Sequence, residues 1–289
     1  MKWQRLRRSR NVNDVRGRSG PRRMGLPIGG RSGGIGFVII LILAAVFGGP
    51  EVLNLILSGG GGSIGGSGGA PTTSDQPASL DDTESAFVAS ILGSTEDVWG
   101  SVFSSAGQSY EAPLLTLFNG VVQSACGSAS AASGPFYCPA DRRVYLDTAF
   151  FADLARMGGA GDFAQAYVIG HEIGHHIQNL QGTAAEVRRA QSGMRQAEAN
   201  QLQVAMELQA DCYAGVWANI ANRTAQILEP GDIQEGMDAA AAIGDDRLQR
   251  NAGRRVTPDS FTHGSSAQRQ QWLRMGLQSG NPADCNTFD

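Results

Sequence analysis

Apolar residues recur at helical spacing through 83–105, where Phe87, Ile91, Val98 and Val102 fall on or near one stripe with a weak point at Gly93. Two short apolar runs, 114–118 and 144–146, are bounded by Pro, Gly or Asp and predict strands. Residues 150–157 read as a short helix closed by Gly158-Gly159. From 162 to about 180 the period is again helical. Ile169, Ile173 and Ile177 share a face opposite His171 and His175, as expected of a helix buried on one side and lining a cleft on the other. An Arg- and Gln-rich stretch at 184–199 predicts a solvated helix, 200–222 a long one, and 230–250 and 265–278 further helical segments. The sum is an α+β domain over 82–289, mostly helical with a small sheet.

Upstream the pattern changes. Residues 35–47 are an apolar run, continued by Val52, Leu53, Leu55, Ile56 and Leu57, so a single transmembrane helix is expected within 35–57. Residues 58–81 are rich in Gly, Ser and Pro, cannot bury a core, and read as a flexible linker.

Charge sharpens this division. The net charge of −4 hides a basic arm: residues 1–34 carry Lys2 and nine arginines against one acid, Asp14, while the remainder carries 13 arginines and 26 acids. A basic flank on one side of an apolar run predicts a cytoplasmic N-terminus and an exported remainder. No small-x-small site favours a cleaved signal peptide. Nucleic-acid binding is not expected, because the acidic remainder repels phosphates.

Four cysteines fit export. None forms a C-x-x-C pair, which excludes a zinc knuckle or thioredoxin-type site. Of the three pairings, Cys126–Cys138 with Cys212–Cys285 is preferred, the first closing a short Ser/Ala/Gly loop and the second stapling the C-terminal tail to a helix. A cytoplasmic domain would instead hold four buried thiols.

The candidate chemistry lies in His171-Glu172-Ile173-Gly174-His175. Residues four apart on a helix present two imidazoles to one divalent cation, and Glu172 beside them can take a proton from water. The chain has four histidines in all, at 171, 175, 176 and 263. Hydrolytic zinc takes three protein ligands. Glu207 is the best third candidate, with Asp211 one turn later placed to accept a ligand imidazole's free N–H; a solvated acidic face is the alternative. Gly170 and Gly174, facing Ala210, Ala214, Gly215 and Ala218, predict close approach of the two helices. His176 points away from the metal seam and is expected to be structural. His263, in a loop before the last helix, could donate to an oxyanion. Arg269 is expected at the surface and Trp272 in the core.

These residues resemble the bacterial putative neutral zinc metallopeptidase family. The similarity runs through MKWQRLRRSRNVNDVRG, YEAPLLTLFNG, CGSASAASGPFYCPADRRVYLD, GHEIGHHIQNLQG, ELQADCYAGVWA and SFTHGSSAQRQQW. The resemblance implies a zincin-like core behind a membrane anchor, one zinc ion held by His171, His175 and Glu207, Glu172 as general base, Asp211 in support, and a peptide or protein substrate. It also implies a single-pass protein of the bacterial cell membrane with its catalytic domain extracytoplasmic. Related glutamate zincins carry a late Thr-His-Pro; here Gly264 replaces the proline, which weakens the transfer of a transition-state role to His263. Residues 143–146 are the expected edge strand for an extended substrate. A zinc-stabilised, catalytically silent envelope scaffold is the competing reading.

Overall fold

The computed structural model describes residues 1–17, 82–130 and 133–288. Eight helices are described: α1 (Thr83–Ser105), α2 (Ala149–Arg156), α3 (Asp162–Gln181), α4 (Thr183–Gln191), α5 (Gln196–Ala225), α6 (Asp232–Ala242), α7 (Asp245–Asn251) and α8 (Ser266–Ser279). Beside them lies a four-stranded sheet built from β1 (Val12–Asp14), β2 (Leu114–Phe118), β6 (Arg143–Asp147) and β5 (Phe136–Cys138), in that order. β1, β2 and β6 run parallel, and β5 closes one edge antiparallel to β6. A separate hairpin pairs β3 (Val121–Ser124) with β4 (Gly127–Ser130). The expectation of a mostly helical α+β domain with a small sheet is met.

The main core lies between sheet and helices. Leu115, Leu117, Val144 and Leu146 pack against Ile91 and Leu92 of α1 and against Ile169, Ile173 and Ile177 of α3. The isoleucine face of α3 is therefore buried as its spacing predicts. The solvated helix expected over 184–199 is shorter than that. α4 stops at Gln191, and a left-handed Gly193 turns the chain so that α5 starts at Gln196 and runs 30 residues. The edge assignment of 143–146 is corrected: β6 lies between β2 and β5 with both sides paired, leaving β5 at the rim. Its hydrophobic run marked a strand with both faces covered, and such runs carry no information about edge position.

The N-terminal residues overturn the expected topology. Val12–Asp14 add a parallel strand to β2, and the Ser9 amide donates to the Ala89 carbonyl of α1 at 2.9 Å. Gly93, the weak point of the helical stripe, is where that segment crosses, since a Cβ there would sit 2.1 Å from the Arg7 carbonyl oxygen. The α-ammonium of Met1 lies 2.8 Å from Asp162 at the start of α3. Arg7 pairs with Glu96 and Asp97, and Arg16 with Asp14, Asp82 and Glu84. Residues 1–17 and the His-Glu helix thus belong to one folded body. A chain that crossed a bilayer once between them would put them on opposite sides, so the single-pass arrangement with a cytoplasmic arm and an extracytoplasmic domain is incompatible with the fold. Among the described residues no helix is long and apolar enough to cross a membrane. The expected span at 35–57 and linker at 58–81 lie outside the described residues. The arm's excess positive charge misled because arginines 7 and 16 answer the domain's own acids.

Candidate metal centre

α3 and α5 meet along small residues. A Cβ on Gly174 would lie 2.9 Å from the Ala210 backbone, and one on Gly170 would lie 3.0 Å from the Trp217 ring and 3.4 Å from the Ala214 side chain. Gly215, grouped with this seam by sequence, faces α8 instead, with the Leu273 carbonyl 2.3 Å from where its Cβ would be. The close approach brings His171, His175 and Glu207 to one point. Their ligand atoms lie within 4.8 Å of one another: Glu207 Oε2 is 3.2 Å from His171 Nε2, and Glu207 Oε1 is 3.6 Å from His175 Nε2. Tetrahedral ligands at zinc-like bond lengths of about 2.0–2.1 Å sit about 3.3 Å apart. Two imidazole nitrogens and one carboxylate, with both Nδ1 atoms engaged elsewhere, form a donor set that fits zinc.

The supporting shell is buried and largely polar. His171 Nδ1 lies 2.8 Å from Asp211 Oδ1, which also accepts from the Tyr167 hydroxyl at 2.5 Å. Arg269 grips both oxygens of Asp211 at 2.8 Å and donates to the Tyr167 hydroxyl oxygen at 3.1 Å. His175 Nδ1 meets Gln178 Oε1 at 2.9 Å. Gln203, one turn before Glu207, donates to its Oε1 at 3.0 Å.

Each charge reflects these neighbours. Burial opposes the His171 imidazolium, yet Asp211 and Glu207 outweigh it and push the group up to about 9. Burial would likewise raise Asp211 and Glu207. Arg269 and His171 instead hold Asp211 down to about 2, and His175, His263 and His171 hold Glu207 well below the usual carboxylate range. Burial raises Glu172 against the pull of His171 and His175, which makes it a better proton acceptor.

His263 is within electrostatic reach of Glu207, whose charge favours its protonated form against burial. Asp245 at the start of α7 clamps its loop: Oδ2 accepts the Thr262, His263 and Gly264 amides at 2.7, 2.6 and 3.1 Å, and Oδ1 lies 3.4 Å from His263 Nδ1. Gly264 takes a φ of 90°, a backbone conformation closed to proline. His176 is turned away from His171, His175 and Glu207: Nε2 donates to the Glu111 carbonyl at 2.6 Å and Nδ1 meets the Tyr137 hydroxyl at 3.0 Å.

Arg269 is the main miss of the sequence reading. It is fully buried rather than superficial, and Trp272 is only half-buried. Tyr167, Gln178 and Gln203 lie four, three and four residues from His171, His175 and Glu207, so helical spacing alone could have found them. Nothing local marks Arg269, which is 58 residues from Asp211 in sequence. Both preferred disulfides are formed, Cys126–Cys138 and Cys212–Cys285. A second acidic group, Asp162, Asp232 and Glu235, also has cation-binding geometry, but the Met1 ammonium already sits against Asp162 and Asp232.

A family profile described as putative neutral zinc metallopeptidase matches residues 1–288. An uncharacterized Escherichia coli K12 protein, YpfJ, is 45% identical over 291 aligned residues covering 100% of this chain and 99% of its own. The uncharacterized protein Rv2575 of Mycobacterium tuberculosis is 47% identical over 190 residues, covering 62% of this chain and 63% of its own. No solved structure matches the chain significantly. A match over nearly the full length, relatives above 40% identity and a three-residue centre of zinc-like spacing agree: the chain belongs to the putative neutral zinc metallopeptidase family.

Proposed function

We propose that this protein is a zinc-dependent endopeptidase with a zincin-like core, acting on peptide or protein substrates. The observation that carries the reading is the convergence of His171 Nε2, His175 Nε2 and a Glu207 carboxylate at 3.2 and 3.6 Å beside a buried Glu172. His171, His175 and Glu207 would hold a zinc ion, which would supply Lewis acidity and lower the pKa of a bound water toward neutrality. Glu172 would hold the proton released by water on its carboxylate as the peptide carbonyl is attacked, and would return it to the departing amine. Asp211 keeps the His171 tautomer with hydrogen on Nδ1, so that Nε2 presents its lone pair inward. His263, its loop pinned by Asp245, donates to the carbonyl oxygen as negative charge develops there. β5, at the sheet rim and joined to α3 through Tyr137 and His176, offers an edge with which an extended substrate can pair.

The test is Glu172→Gln in the full chain, measuring zinc content and cleavage of an unfolded protein or peptide library. Zinc should be retained and hydrolysis lost. Turnover at the wild-type rate removes Glu172 as the base, and a zinc-loaded wild type that cleaves nothing in the library refutes the peptidase reading.

A further inference from the structure

The His175 side of the centre is supported differently from the His171 side. Where His171 leans on a carboxylate, His175 leans on a neutral amide, and that amide opens a chain of buried hydrogen bonds. Gln178 Nε2 donates to the Met206 carbonyl at 2.7 Å and to Gln209 Oε1 at 3.0 Å. Gln209 Nε2 donates to the Cys285 carbonyl at 3.0 Å. Cys285 is bonded to Cys212, which follows Asp211 on α5.

Two backbone carbonyls fix the sense of this chain. A carbonyl can only accept, so Cys285 forces the Gln209 amino group toward the tail and its Oε1 toward Gln178. Gln209 Oε1 and the Met206 carbonyl then both require the Gln178 amino group, which turns Gln178 Oε1 to His175. His175 must therefore donate from Nδ1, and its Nε2 lies 3.6 Å from Glu207 Oε1. The C-terminal tail that anchors these hydrogen bonds is itself held: Thr287 donates to the Ala205 carbonyl at 2.6 Å, and Phe288 packs on Ala184, Val187 and Met206.

We propose that Gln178 is a positioning residue for His175, and that the disulfide-tethered C-terminal tail, acting through Gln209, sets the orientation of that imidazole and so the strength of metal binding. The proposal rests on His171, His175 and Glu207 being the metal ligands. Two networks anchored at different places, Arg269 of α8 on one side and the tail on the other, then aim the two imidazoles at one point.

The experiment measures Zn²⁺ affinity of the full-length, oxidised protein by competition with a chromophoric chelator. Folding of each variant is checked by circular dichroism and by its melting temperature in excess chelator. Gln178→Met should weaken zinc roughly 10–100-fold, the usual effect of losing such an outer partner. Gln209→Met and the Cys212→Ala/Cys285→Ala pair should each weaken zinc about fivefold, as for one net hydrogen bond. Combined, they should do little more than either alone, because they cut one chain at two points. ¹⁵N-histidine spectra should show His175 protonated on Nδ1 in wild type and a mixture of tautomers in Gln178→Met. Folded variants that bind zinc as wild type does, a single Nδ1-protonated tautomer persisting in Gln178→Met, or fully additive losses overturn the proposal while leaving the metal reading intact. A wild-type protein that binds no zinc overturns both.

Discussion

Replacing Gly174 by alanine tests whether the centre depends on the approach of two backbones. The new Cβ would lie 2.9 Å from the Ala210 Cα and carbonyl oxygen and 3.1 Å from its Cβ, where ordinary contact starts at 3.4 Å. The shortfall is 3.4 − 2.9, about 0.5 Å, and the obstacle is helix backbone, which cannot swing aside as a flexible side chain can. α5 must move, and Glu207 moves with it. Its separations from the two Nε2 atoms, 3.2 and 3.6 Å, would grow to about 3.7 and 4.1 Å, beyond the spacing that a single zinc ion spans comfortably. Overpacking costs about 1–3 kcal/mol, and the gain in helix propensity of up to about 1 kcal/mol offsets part of it. The folded state should therefore lose only about 0–2 kcal/mol, while zinc affinity falls about tenfold or more, since sites of this kind tolerate only about 0.5 Å. Gly100 of α1 is the control: a Cβ there meets nothing within 4 Å, so Gly100→Ala should stabilise by roughly 0.5–1 kcal/mol and leave zinc untouched. Chelator competition gives the affinity and urea unfolding in chelator gives the stability. Wild-type affinity in Gly174→Ala would refute the idea that helix contact sets the ligand spacing.

Other expectations follow from the same contacts. Glu207→Ala should abolish tight zinc binding; undiminished affinity in a folded variant would point to another carboxylate as the third ligand. Arg269→Ala leaves Asp211 buried with its main cation gone, and should destabilise by about 3–5 kcal/mol in urea unfolding; a loss under 1 kcal/mol would mean that water reaches Asp211. His176 is held down to about 4 from an ordinary 6.5 by burial, against the Glu111 carbonyl that favours its charge. The unfolded chain therefore takes up this proton below 6.5 while the fold refuses it until about 4, so stability present above 6.5 is lost as pH falls through that window. The loss approaches roughly 3 kcal/mol, and urea midpoints at pH 7 and 4.5 should separate more for wild type than for His176→Gln; equal shifts would dismiss this histidine as the cause. Removing Cys126–Cys138, which closes a loop at a sequence separation of 12, should cost about 3 kcal/mol by the same assay.

Local sequence carried the elements that position the chemistry. The isoleucine spacing of α3 fixed which face is buried, and that left His171 and His175 on the other. Glu207 and Asp211, four apart on α5, were legible for the same reason, because helical periodicity acts over a single turn. The fold class and the cysteine partners were legible as well, the latter from loop composition and from where the tail begins.

Contacts between distant segments were not legible, because no local pattern encodes which surfaces meet. The basic arm reads like a membrane flank, yet its arginines 7 and 16 find acids of α1 and its Val12–Asp14 extends the sheet. Arg269 looks like any exposed arginine until α8 packs on α5 and carries it to Asp211. Gln209 looks like a helix-surface amide until the Cys212–Cys285 bond brings a tail carbonyl to it. Helical periodicity depends on neighbours a few residues apart, whereas the partners of a buried charge are selected by the packed whole, where an unpaired polar group is too costly to persist.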